Sequence, residues 1–139
     1  MTGRVLMDSG PLVAYFCTRE AHHKWAVDQF ASFTPPVLTC EAVLAETTFL
    51  IAGQGIPAWR LLDKLRDGVF RVGLQLGAEG AAVQALMKRY AKVPMSLADA
   101  CLVRLAEITD LPICTLDPHF ENYRTHGRRR PPLILPHLP

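Results

Sequence analysis

The sequence lacks a C-x-x-C pair, a membrane-length apolar run, an internal repeat, a low-complexity segment and any strong net charge. Each absence removes a class of function. Cys17, Cys40, Cys101 and Cys114 stand singly in apolar segments, so buried, reduced thiols are expected rather than a disulfide framework or a cysteine zinc site. No uninterrupted apolar stretch approaches the roughly 20 residues that cross a bilayer. The net charge of +2 offers no whole-molecule basic field to announce a nucleic acid. What is present is a folded chain. Half of the 139 residues are hydrophobic and 20% charged, too apolar for disorder and long enough for one domain with one core. A strand expected a few residues after Met1 leaves no room for a cleavable leader, so a cytoplasmic protein is expected.

Strand and helix signals alternate. Short apolar runs at 4–7, 37–39, 69–74, 112–116 and 133–135 predict strands. Helices are predicted over about 10–16, 22–33, 40–52, 57–68, 78–91 and 96–109. Ser9 and Ser96 are expected at N-termini, and Pro57 in a first turn. This pattern predicts a single α/β domain over residues 1–139, with a mainly parallel sheet. In such sheets function lies beyond the carboxyl ends of the strands, and Asp8 and Asp117 both follow predicted strands.

Two further acids fall on helices. In TCEAVLAETTFLIA, residues 39–52, a period of 3.6 puts Val43, Leu44, Thr47, Leu50 and Ile51 on one stripe. Glu46 lies at the edge of that stripe and Glu41 opposite it. Glu41 has a structural role available at the positive end of the helix; an inward Glu46 would need a cation or a donor. In MSLADACLVRLAE, residues 95–107, Asp99 aligns with Leu102, Val103 and Ala106, yet Ser96-x-x-Asp99 also spells a capping box. Taken singly, Asp8 and Asp117 can be turn or cap residues, Glu46 an arginine partner and Asp99 a cap. Together they are harder to dismiss, because clustered carboxylates repel unless a cation compensates them. Oxygen-only ligation points to Mg²⁺ or Mn²⁺, and such an ion activates water for phosphodiester hydrolysis.

In this order, VLMDSGPLVAYF, LAETTFLI, SLADACLVRLAE and ICTLDPHF resemble the PIN-domain ribonucleases, especially the small VapC-like toxins, from about Val5 to Tyr123. The first and last motifs are weak alone; the ordered set, with YAKVPMSLADA running into TLD, is specific. The resemblance implies a three-layer fold with helices on both faces of the sheet. It makes Asp8, Glu46, Asp99 and Asp117 the catalytic, metal-binding quartet of an endoribonuclease. It also implies Mg²⁺ or Mn²⁺ as cofactor, RNA as substrate, an antitoxin partner and a homodimer. Many relatives carry another acid where Ser96 or His119 stands, so this chain has fewer accessory acids for a second ion, and the reading takes one or two ions. Ser9 and Ser96 are accessory candidates, Ser9 either as a cap or against the water shell of the ion.

Arg124, Arg128, Arg129 and Arg130 are candidates for RNA or partner contact, with a solvated basic tail as the plain alternative. The competing function is a PIN-like module that binds RNA or protein without cutting. A phospho-accepting receiver domain leaves Glu46 and Asp99 unexplained. An aspartyl phosphatase needs D-x-D after the first strand, where this chain has Asp8-Ser9-Gly10.

Overall fold

The computed structural model describes residues 3–136. Its elements run β1 (Leu6–Met7), α1 (Ser9–Phe16), α2 (His23–Ser32), β2 (Val37–Thr39), α3 (Glu41–Gly53), α4 (Trp59–Arg66), β3 (Phe70–Val72), α5 (Leu76–Arg89), α6 (Leu97–Thr109), β4 (Ile113–Cys114) and β5 (Leu133–Ile134). A short 3-10 helix, Pro118–Asn122, follows β4. All strand pairings are parallel, in the order β3-β2-β1-β4-β5, as the alternating pattern predicts. Outside this sheet, Thr125 and Arg129 form an isolated antiparallel bridge.

The order explains where a site can form. The chain moves outward from β1 through β2 to β3, then returns past β1 to β4 and β5. Right-handed crossovers then place α1–α4 on one face and α5–α6 on the other. Packing agrees, with α1 against α2 and α3, and α5 against α6. The reversal leaves a topological switch point between β1 and β4, and a crevice opens beyond their carboxyl ends.

The strands are buried on both faces, so they read as continuous apolar runs. Leu6, Met7, Ile113 and Cys114 are fully inaccessible, as expected for a covered parallel sheet. Phe70, Phe120, Tyr123, Leu102 and Leu105 complete the core, and burying each large apolar side chain contributes about 1.5–3 kcal/mol. Helix α6 ends at Asp110 in the left-handed conformation, φ 56°.

Several boundaries differ from the sequence reading. Helix α4 begins at Trp59 with Ala58 as its cap, so Pro57 precedes the helix instead of sitting in its first turn. Strand β4 stops at Cys114, before the carboxylate expected at its end. Leu50 is exposed beside Phe49, so the apolar stripe of α3 is narrower than its periodicity suggests. All four cysteines are free and buried. Among the described residues no helix is long and apolar enough to cross a membrane.

Candidate active site

Asp8 leaves β1 and caps α1: its Oδ1 accepts from the Ser9 backbone N–H at 2.8 Å. Ser9 is therefore not the cap, contrary to expectation. Its hydroxyl is left to reach α3, donating to Glu46 Oε1 at 3.1 Å. The other oxygen of Asp8 accepts from the buried Thr115 hydroxyl at 2.7 Å. The same Thr115 oxygen accepts the Asp117 backbone N–H at 3.0 Å. One hydroxyl thus fixes the Asp8 carboxylate and the turn that carries Asp117. Gly10 permits this closeness, since a Cβ there would lie 3.1 Å from the Cβ of Leu116.

Asp117 sits beyond β4 as the cap of the 3-10 helix, with Pro118 next. Its Oδ1 accepts from the His119 backbone N–H at 2.9 Å and lies 2.8 Å from His119 Nδ1. Asp99 forms the expected capping box: Ser96 Oγ accepts the Asp99 N–H at 3.0 Å, and Asp99 Oδ2 accepts the Ser96 N–H at 3.1 Å. Capping does not remove Asp99 from the crevice. The Tyr123 hydroxyl lies 2.7 Å from the Pro94 carbonyl and 3.4 Å from Asp99 Oδ2, the shorter contact taking its proton.

Asp8, Ser9, Gly10, Glu46, Ser96, Asp99, Leu116, Asp117 and Pro118 line one open cleft of about 630 Å³. The four acids come from the ends of β1 and α6, the side of α3 and the turn after β4. Glu46 is exposed rather than buried, so it bears no burial cost needing a cation. The described ion pairs are Arg104 with Glu79 and Glu107, and His119 with Asp117; the arginine partner considered for Glu46 is not among them. The cleft is open. Among the described residues no three acidic, histidine or cysteine side chains draw together as a ready metal cluster.

The electrostatics set Asp8 apart from the other three acids. Burial pushes the Asp8 carboxyl from 3.8 up to about 6, with the charges of Asp99 and Glu46 adding and the Thr115 and Ser9 hydrogen bonds opposing. The charged groups of the lining are all carboxylates, a donor set that fits a hard divalent ion. Thiol chemistry does not fit, because burial pushes Cys114, beside Asp8, up to about 12. Burial also raises Tyr123, so its hydroxyl stays protonated as a donor.

The Asp8 shift makes a stability prediction. The folded chain binds this proton more tightly than the unfolded chain. Its contribution is therefore complete below about pH 4 and lost as pH rises to about 6. A move from 3.8 to about 6 corresponds to about 3 kcal/mol. Urea denaturation in chelator should show wild type losing this stability relative to Asp8→Asn across that window. A constant difference between the two proteins would refute the assignment.

None of Arg124, Arg128, Arg129 and Arg130 lines the cleft. They belong to an ordered turn, not a tail: Thr125 bridges to Arg129, and Arg124 donates to the carbonyls of Glu121 and Tyr123. Thr115 and Tyr123 escaped the sequence reading. The signal for Thr115 was a lone hydroxyl in an apolar run, which on burial must find a partner.

The geometry can be compared with known proteins. A family model for the PIN domain matches residues 5–125. The chain belongs to the PIN-domain family. The matched span of this PIN domain contains all four acids and stops short of Arg128 and β5. Among solved structures, the crystal structure of Mycobacterium tuberculosis VapC20 superposes with a TM-score of 0.66 at 24% identity, covering 78% of this chain and 86% of that one. VapC20 is described as a toxin that cleaves the sarcin–ricin loop. No curated protein matches the sequence.

Proposed function

We propose that this PIN domain is a Mg²⁺- or Mn²⁺-dependent endoribonuclease and the toxin of a toxin–antitoxin pair. One observation carries the reading: four carboxylates from four separate elements line one cleft at the switch point of the sheet. Asp8, Asp99 and Asp117 would hold the ion, and Glu46 would complete its surroundings directly or through a water. A bound ion would polarise the phosphodiester and acidify a water. Ser9 orients Glu46, Thr115 orients Asp8 and anchors the Asp117 turn, and the capping box holds Asp99 at the helix end. VapC20 supports RNA as the substrate class.

A homodimer and a cognate antitoxin belong to the same reading, as does a cytoplasmic site, which suits four free thiols. Exposed Phe49 and Leu50 of α3 and Trp59 and Leu62 of α4 supply apolar surface for a protein partner. The competing reading, a PIN module that binds without cutting, draws on the open spacing of the acids.

Mapping new RNA 5′ ends after brief expression separates the two. Discrete new ends are expected with wild type and not with Asp99→Asn. The same ends with both proteins, or none with folded wild type, would favour the binding module.

A further inference from the structure

The net charge of +2 conceals a strong polarity. Lys88, Arg89 and Lys92, at and just beyond the end of α5, and Arg124, Arg128, Arg129 and Arg130 in the turn before β5 make seven of the 15 lysines and arginines. The segments 88–94 and 124–130 contain none of the 13 acids. The remaining chain thus holds eight cations against all 13 acids.

The two segments form one surface. The Arg124 backbone N–H donates to the Tyr90 hydroxyl at 2.9 Å, and Arg89 donates to the Gly127 carbonyl at 3.3 Å. The Tyr90 and Tyr123 rings meet edge to face at 5.2 Å. All of the seven except half-buried Arg124 are exposed, and none pairs with a carboxylate among the described residues. The acid beside the turn, Glu107, is already engaged by Arg104 and by the His126 backbone N–H.

This surface adjoins the cleft. Segment 88–94 runs into Ser96 and Asp99, and Tyr123, next to Arg124, reaches Pro94 and Asp99. At its other end His126 bonds Glu107, eight residues along α6 from Asp99, or about 12 Å of helix rise. Positive charge therefore leads away from the acids in one direction.

We propose that this surface is a docking track for the RNA backbone, holding the strand on one side of the bond placed in the cleft. A cleft lined by acids repels phosphate, so affinity has to come from cations beside it. The identity of the nucleic acid as RNA rests on the proposed nuclease function; the track itself rests on charge and geometry.

The test compares Lys88→Gln/Lys92→Gln and Arg128→Gln/Arg129→Gln/Arg130→Gln with wild type. Among the described residues their side chains make no hydrogen bond or ion pair, so both variants should melt like wild type. Anisotropy of a short fluorescein-labelled single-stranded RNA, in chelator, is followed across salt concentration. Each lost phosphate contact should lower the salt slope by about 0.7, so the double variant loses about 1.4 and the triple about 2.1, with weaker binding. Hydrolysis of bis(p-nitrophenyl) phosphate, which reaches the cleft alone, should be unchanged. Unchanged slopes in both variants would overturn the track, even if wild type cuts RNA. Unchanged RNA binding with lost binding of poly-glutamate would overturn it in favour of an acidic protein partner. RNA binding through the track by a protein that hydrolyses no phosphodiester would refute the nuclease reading and leave the track standing.

Discussion

Asp99→Asn and Glu46→Gln should each reduce single-turnover RNA cleavage by at least about 100-fold, beyond the roughly 10- to 100-fold loss typical of residues that only support a metal ligand. Both substitutions keep shape and remove charge. An asparagine at position 99 still accepts the Ser96 N–H of the capping box. The apo protein gives up about 0.3–1 kcal/mol of favourable charge at the start of α6, offset by relief of repulsion among the acids. Its melting temperature should therefore barely move. Glu46 is exposed, with a single described hydrogen bond, from Ser9, so its amide should be as stable as wild type. Glu41→Gln, on the other side of the same helix, should leave cleavage nearly untouched. An early-melting Glu46→Gln with normal cleavage per folded molecule would make Glu46 a structural residue and remove it from the quartet.

Removal of divalent ions should abolish cleavage, and Mg²⁺ or Mn²⁺ should restore it. The reason lies in Asp8. Its carboxyl takes up a proton at about 6 because burial and the neighbouring acids disfavour its charge. A cation in the cleft would offset both effects and lower the Asp8 carboxyl again, and it would acidify the attacking water, which the carboxylates do not do by themselves. RNA cleavage in EDTA equal to that in Mn²⁺ would exclude a metal from the reaction.

The residues that were legible in the sequence are those whose partners are close in the chain. Ser96 and Asp99 spell a capping box three residues apart, and the box is present. The alternation of apolar runs and helical periods foretold a parallel sheet, and hence the edge where Asp8 and Asp117 meet. Long-range choices were not legible. Ser9 yields the cap to Asp8 because Glu46, 37 residues away, offers its hydroxyl an acceptor. Thr115 serves Asp8 across 107 residues, and no local pattern encodes that pairing. Helical period puts Glu46 at the edge of the apolar stripe, where a buried carboxylate would need a partner. Period gives the direction of a side chain, but the open cleft decides whether water reaches it. Of the basic surface, Arg124, Arg128, Arg129 and Arg130 stand out in the sequence, while only the fold sets Lys88, Arg89 and Lys92 beside them.

Under the proposed function these carboxylates form the site of a hard divalent ion. Calorimetric titration of Mn²⁺ into chelator-stripped wild type, Asp8→Asn and Glu41→Gln at pH 7 tests it directly. Saturable binding is predicted for wild type and Glu41→Gln, with affinity at least about tenfold weaker in Asp8→Asn, an outcome costing about 1.4 kcal/mol or more. Equal affinity in all three proteins, or no Mn²⁺ binding by a wild-type protein that still cuts RNA, would contradict it.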